Sequence, residues 1–229
     1  MEPPAAIENG IAGKHATGCP TDREVIDRVV AMLALCVLSP LLLLVALAVL
    51  AGNGWPVFFR QERVGKAGKS FQLLKFRTMR NGKSGPSITA RGDARITPVG
   101  KFLRKFKLDE LPQLWNVARG EMSLVGPRPE VPQFVNMNDP VWRSVLQVRP
   151  GITDPASIAF RNEEEILAKA ADPISFYKER VLPAKLALNL SYLEKRTWWL
   201  DTKVVFQTAR CAMFPNQNAK EIGMQVPKF

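Results

Sequence analysis

Histidine is almost missing from this chain of 229 residues. His15 is the only one, and it sits in a leader rich in Gly and Pro. That argues against a His-based triad or a His-rich metal site, and leaves acid–base work to carboxylates, Lys, Arg or Tyr. Cysteine is scarce as well. Cys19, Cys36 and Cys211 are far apart with no C-x-x-C spacing, so neither a disulfide framework nor a zinc site is suggested, as fits a reducing compartment. Acidic residues are outnumbered, 21 against 32 Lys and Arg, for a net charge of +11. This balance favours anionic partners (nucleic acid, anionic lipid or phosphorylated small molecules) without choosing between them. The length suits one sizeable domain or two small ones.

What the chain does have is one long apolar run. Residues 1–21 read as a flexible tail with several Pro and Gly, and Thr21 and Asp22 offer helix N-caps. From Val29 the sequence VVAMLALCVLSPLLLLVALAVLAG carries no charge and is long enough to cross a bilayer. It is too long and begins too late for an ordinary signal peptide. Ser39-Pro40 falls mid-segment, where a proline removes one backbone hydrogen bond and crowds the carbonyl of Cys36. Arg23 and Arg28 precede the run and Arg60, Arg63 and Lys66 follow it. Basic flanks belong in the cytoplasm, and both can be there only if the chain turns back. On the residues alone, a spanning helix and a re-entrant one both stand.

Pro56–Gln61 and Ser70–Met79 are short β-prone runs around a glycine-containing turn, which predicts a hairpin near the membrane exit. Arg80–Asp93, with three glycines and a proline, predicts a loop. Val99–Lys107 and Leu111–Ala118 predict short helices with Leu108-Asp109-Glu110 at their junction. Asn162–Ala171 and Ile174–Val181 predict two more. Asn189–Phe214 reads as one long amphipathic helix, its Trp198, Trp199 and Phe206 set among Lys195, Arg196, Lys203 and Arg210. That mixture suits a bilayer interface, or packing on the helix's own domain.

The densest chemistry lies between Lys101 and Glu130. A basic run, Arg91, Arg95, Lys101, Arg104, Lys105 and Lys107, leads into Asp109 and Glu110, and Lys75 and Arg77 of the hairpin add two cations. Such a run is commonly a solvated helix face, and carboxylates early in a helix complement its dipole. The alternative is a phosphate site. Arg forks match phosphate oxygens, Mg²⁺ takes one or two carboxylates plus substrate phosphates, and a carboxylate can attack phosphorus. Gly126-Pro127-Arg128-Pro129 is a rigid turn presenting one arginine.

The order of these pieces resembles the bacterial sugar transferases, the monotopic polyprenyl-phosphate phosphoglycosyltransferases. The matching segments are Ser39-Pro40, PVFFRQERVGKAGKSFQLLKFRTM (Pro56–Met79), RITPVGKFLRKFKLDELPQLWNVARGEMSLVGPRPE (Arg95–Glu130) and RPGIT (Arg149–Thr153), within a likeness running from about Asp22 to Phe214. The resemblance implies an α+β, mainly helical, monotopic membrane protein with a re-entrant N-terminal helix broken at Ser39-Pro40, a small β-hairpin and interfacial amphipathic helices. It divides the chain into a tail (1–21), the re-entrant helix (22–54), a cytosolic catalytic domain (55–215) and a loose tail (216–229). It implies an enzyme on the cytoplasmic face of a bacterial inner membrane, initiating exopolysaccharide or lipopolysaccharide assembly. Asp109 would be the nucleophile on a UDP-sugar, and polyprenol (undecaprenol) phosphate the acceptor. Mg²⁺ would be held by Asp109 and Glu110, with Glu110 as metal ligand or site-shaping partner. Lys75, Arg77, Arg104 and Arg128 become the candidates for substrate phosphates. Membrane lipid is an expected partner, nucleic acid is not, and a homodimer is compatible. One departure stands out: many members continue the PGIT motif with Gly-Trp-Ala-Gln, where this chain has Asp154-Pro155-Ala156-Ser157. That places sugar or acceptor preference in doubt, not the reaction class. The competing reading is a membrane-anchored protein that binds nucleic acid or anionic lipid without catalysis. It rests on charge and on the amphipathic C-terminal helix, and no nucleic-acid motif supports it.

Overall fold

The structure, a computed structural model, describes residues 22–80 and 93–214. The two tails, and the interior of the expected Arg80–Asp93 loop with Arg91, lie outside those residues. The described chain is mostly helical with two small β-pairs.

Helix α1 (Asp22–Asn53) is the apolar segment. At 32 residues it is about 48 Å long. It runs on through Ser39 and Pro40 rather than ending there. Pro40 has no N–H to give the carbonyl of Cys36, and the Ser39 hydroxyl donates to that same carbonyl at 2.8 Å. The Ser-Pro pair therefore satisfies the freed carbonyl itself, on an exposed side of the helix.

One flank of α1 packs along the rest of the protein. Ala31, with Ala34, Leu35 and Leu38 beside it, meets Leu73, Leu114, Val117 and Met122. Val45 and Val49, with Leu42 and Ala46, meet Val57, Phe76 and Leu103. The other flank, including Leu33, Val37, Leu44 and Leu47, is exposed. Only 11% of its most apolar window is buried, so α1 is not the core helix of a soluble domain.

Both ends of α1 are tied down. Near its start, buried Glu24 pairs with Lys66 at 3.2 Å and Arg149 at 3.0 Å. Arg23 pairs with Asp201 at 2.7 Å and stacks over the Trp198 ring at 4.6 Å. At its end, the Arg77 guanidinium donates to the carbonyls of Asn53, Gly54 and Trp55, and Asn53 Nδ2 returns a bond to the Arg77 carbonyl at 2.7 Å. A guanidinium at a helix C-terminus satisfies carbonyls that have no partner within the helix.

Strands β1 (Phe58–Val64) and β2 (Ser70–Phe76) form the expected hairpin, with Phe59 opposite Lys75. Helix α2 (Pro98–Lys105) starts on Thr97, whose hydroxyl accepts from Gly100 N at 2.9 Å. A Cβ at Gly100 would lie 2.1 Å from the Thr78 carbonyl oxygen, so glycine lets α2 close against the end of β2. Lys107 is left-handed (φ 57°), a conformation costing about 1 kcal/mol for a residue with a Cβ. It swings the chain into a short 3-10 turn, Leu108–Glu110, and then α3 (Gln113–Ala118).

The parallel pair of β3 (Ser123–Val125) and β4 (Gly151–Thr153) was not expected from the pattern. Between the two strands lies α4 (Pro140–Val145), and beyond β4 come α5 (Pro155–Ala159), α6 (Glu163–Leu167) and α7 (Pro173–Phe176). A π-helical segment, Tyr177–Val181, leads into α8 (Leu182–Glu194), and α9 is Trp198–Met213. The single helix expected over Asn189–Phe214 is corrected to two. Thr197 is extended, and its hydroxyl caps α9 by accepting from Leu200 N at 3.1 Å. Trp199 and Phe206 on α9 are exposed, whereas Val204 is buried.

Candidate active site

The Asp109–Glu110 turn is held against β2 by the helix that follows it. Buried Asn116 of α3 reaches across to the strand: Oδ1 accepts from Leu74 N at 3.0 Å and Nδ2 donates to the Gln72 carbonyl at 2.8 Å. One residue along the strand, Lys75 Nζ donates to Glu110 Oε1 at 3.2 Å.

From the opposite side comes Arg128, in a bidentate grip on Glu110: Nη2 to Oε1 at 2.5 Å and Nη1 to Oε2 at 3.0 Å. The arginine is aimed by the β3–β4 pair. Gly126 N donates to the Thr153 carbonyl and Gly151 N to the Pro127 carbonyl, each at 3.0 Å. Arg128 Nη1 also reaches the Ile152 carbonyl at 3.3 Å. A Cβ on Gly151 would lie 2.1 Å from Gly126 N, so the two turns can meet only through glycine. The GPRP and PGIT motifs, separated in sequence, are thus one device for placing a guanidinium.

The two carboxylates differ in state. Burial works against the charge on Glu110, but Arg128, Lys75 and Lys107 outweigh it and hold the group well below the usual glutamate range. Asp109 is pushed up, by burial first and by the neighbouring Glu110 second, with Lys75, Lys107 and Arg104 pulling the other way. Burial takes Lys75 down to about 8 despite Glu110. Asp109 is 6% exposed, and its Oδ1 is buried without a hydrogen-bond partner among the described residues. A buried, unpartnered carboxylate oxygen is costly unless something else comes to meet it.

Of the residues expected here, Asp109, Glu110, Lys75 and Arg128 come together. Arg104 stands nearby, its Nε on Thr78 Oγ1 at 3.0 Å and its Nη1 on Glu164 at 3.0 Å. Arg77 is not gathered with them, being engaged at the end of α1. Lys107 was in the basic run but not among the site residues, and it acts electrostatically on both carboxylates.

A second buried layer was missed. The Tyr177 hydroxyl donates to Glu130 at 2.5 Å, Lys185 bonds Glu163 at 2.9 Å, and Arg63 donates to the Pro129 carbonyl at 3.0 Å, all braced behind Arg128. The signal was the Glu that follows GPRP. Its partners, Tyr177, Lys185 and Arg63, lie far along the chain on other elements and gave none.

For Mg²⁺, Glu110 already has both oxygens in hydrogen bonds, and no cluster of three or more His, Cys, Asp or Glu suited to a metal occurs among the described residues. The open oxygen of Asp109 fits an ion held mainly by substrate phosphates, not an all-protein cage.

A buried carboxylate open on one oxygen, acted on by Lys75, Lys107 and Arg104 in a chain with one long apolar helix, is suited to phosphate chemistry. The model of the bacterial sugar transferase family matches residues 21–215. The chain belongs to that family, the polyprenyl-phosphate phosphoglycosyltransferases. It is 38% identical over 191 residues to a UDP-glucose:undecaprenyl-phosphate glucose-1-phosphate transferase of Caulobacter vibrioides, covering 81% of this chain and 67% of that one. It is 40% identical over 179 residues to the exopolysaccharide production protein ExoY of Sinorhizobium fredii, covering 71% and 79%. With a UDP-N-acetylgalactosamine-undecaprenyl-phosphate N-acetylgalactosaminephosphotransferase of Aeromonas hydrophila it shares 37% over 189 residues, 80% of this chain but 42% of that relative's length. The chain therefore spans well under half of some of the relatives it matches.

Proposed function

We propose that the protein transfers a sugar-1-phosphate from a UDP-sugar to polyprenol phosphate at the cytoplasmic face of the membrane, in two displacements at one phosphorus. An Asp109 oxygen attacks the phosphorus that carries the sugar. An O–P bond forms to Asp109 while the bond from that phosphorus to the bridging oxygen breaks, and UMP leaves with the electron pair. An oxygen of polyprenol phosphate then attacks the same phosphorus, and the Asp109–phosphorus bond breaks to return the carboxylate. No proton donor is needed at either step, which suits a site without histidine.

The observation that carries this reading is the contrast within the pair. Asp109 has a free buried oxygen, whereas Glu110 is fully engaged by Arg128 and Lys75. Glu110 therefore shapes the site, and Asp109 is left to react. Lys75, Lys107, Arg104 and Arg128 offer positive charge to the diphosphate. Mg²⁺, when bound, supplies further neutralisation of that charge, with Asp109 its ligand on the protein side. Arg77 serves as a strut for α1.

The same reading makes α1 re-entrant, bending at Ser39-Pro40 within the bilayer. What supports it is that both ends of the helix are bonded to one domain. The exposed Trp199 and Phe206 of α9 then sit at the lipid surface.

Incubating the purified protein with polyprenol phosphate, Mg²⁺ and a panel of UDP-sugars should release UMP with one or more of them. Asp109→Asn should lower that release about 10³-fold or more and leave no phosphosugar adduct. Unchanged turnover in the Asn variant would remove Asp109 from its role.

A further inference from the structure

Gln113 is 1% exposed, and its Nε2 has no hydrogen-bond partner among the described residues. It lies one turn beyond the reactive pair, in the row Glu110, Gln113, Asn116 that a helix presents along one side at three-residue spacing. Both neighbours in that row face β2. Asn116 bonds the backbone of Gln72 and Leu74, and Glu110 bonds Lys75. Gln113 lies between them in that row, with its amide nitrogen buried and without a partner among the described residues. Looking down the turn, Gln113 falls between the directions of Asp109 and Glu110.

Two buried polar atoms thus lie without partners within one helical turn: an acceptor, Asp109 Oδ1, and a donor, Gln113 Nε2. A core position with no polar task is better filled by an apolar side chain of the same length, because a buried amide without a partner destabilises the fold. The exception is a site completed by a ligand.

We propose that Gln113 is a substrate-binding residue whose Nε2–H donates to a non-bridging oxygen of the phosphoryl group that Asp109 attacks. This rests on the phosphoglycosyltransferase reading. That phosphoryl group must come to within about 3 Å of an Asp109 oxygen to react, and Gln113 follows only four residues later, at the start of α3. Anionic phosphate oxygens accept and never donate, so the substrate selects the orientation of the amide that presents its N–H. The neighbouring lysines and arginines supply charge, whereas Gln113 supplies a neutral, directional contact that does not move with protonation.

The test uses the full-length protein in detergent with the UDP-sugar that gives the highest UMP release. Gln113→Met keeps the length and removes the donor. Gln113→Glu keeps the shape and leaves only acceptors. Each variant is assayed for adduct formation without acceptor lipid, for kcat and KM, and for thermal unfolding. The expected result is a fall in kcat and adduct rate of about 100-fold in both, with KM within about threefold and the melting temperature of the Met variant equal to or above wild type.

A folded Met variant with wild-type adduct rate overturns the proposal. So does a loss of rate that tracks a loss of folded protein in both variants. If the Met variant does not fold, a Glu variant that folds and keeps the wild-type rate overturns it equally. Absence of UMP release from the wild type with every UDP-sugar is the failure of the reaction assignment instead, and is recognised before any variant is made.

Discussion

Glu110 accepts both prongs of the Arg128 guanidinium while Lys75 donates to one of the same oxygens. The carboxylate is the common seat of two cations that arrive on unrelated elements, a hairpin strand and a Gly-Pro turn. Replacing the fork tests that geometry. Arg128→Lys keeps the charge and loses the bidentate grip, and should lower UMP release roughly 10- to 100-fold. Glu110→Gln leaves both cations without their anion and should cost about 3 kcal/mol of stability, read as a lowered thermal midpoint in detergent.

The pH profile should be bounded by Lys75 and Asp109. Lys75 holds Glu110 only while protonated, and burial lowers its pKa to about 8, so activity should fall as pH rises through about 8. Stability runs the other way for this group. Between about 8 and 10.5 the unfolded chain binds the proton that the fold does not, so unfolding free energy rises with pH. Lys75→Arg should remove the alkaline fall, which is checked by kcat against pH.

On the acid side, Asp109 must be ionised to attack. Its pKa is raised by burial and by Glu110, so activity should be lost as pH falls at values above the ordinary aspartate range. In any Glu110→Gln protein that retains turnover, the acid limb should move to lower pH, since a like charge has gone.

Gly151→Ala should separate aim from fold. Its Cβ would lie 2.1 Å from Gly126 N and 2.4 Å from Gly126 O, which forces the Arg128 turn away from β4. A stability loss of about 2 kcal/mol, together with a fall in UMP release at temperatures where the protein remains folded, is the expected pair of readings.

Topology has its own test. Single cysteines at Asp22 and Gly52, in a cysteine-free background, should both resist a reagent added from the periplasmic side. Pro40→Ala restores the missing N–H to α1, so it should straighten the helix and expose one of the two positions. Labelling of one flank in the unaltered helix would show that it spans.

What could be read in advance follows from how local the signal was. The hairpin, the long apolar helix and the Asp109-Glu110 junction are contiguous patterns, and each lies where its residues suggested, although α1 runs through Ser39-Pro40 without the expected break. β3 and β4 are three residues each, too short to show alternation, and they pair across 28 positions. Their pairing is what aims Arg128. Arg77 misled because Lys75 and Arg77 share a face only while a strand lasts, and β2 ends at Phe76. Thr197 hid a boundary because the amphipathic pattern continues through it.

The departure at Asp154-Pro155-Ala156-Ser157 also becomes physical. Asp154 is fully buried and caps α5, accepting from Ser157 N at 2.7 Å and Ser157 Oγ at 2.8 Å. From that capping position its carboxylate also acts electrostatically on Arg128.

Finally, the anchoring of α1 sets more than location. A tethered enzyme wanders at the end of its leash and meets lipid at any angle. Here Glu24 at one end and Asn53 at the other are bolted to the body that carries Asp109. With α1 seated in the bilayer as proposed, the Asp109 oxygen rides at a fixed altitude above the lipid, with one bearing. Any lipid-borne substrate has only to drift sideways within the leaflet until its headgroup passes beneath, so a search through volume becomes a search over a plane.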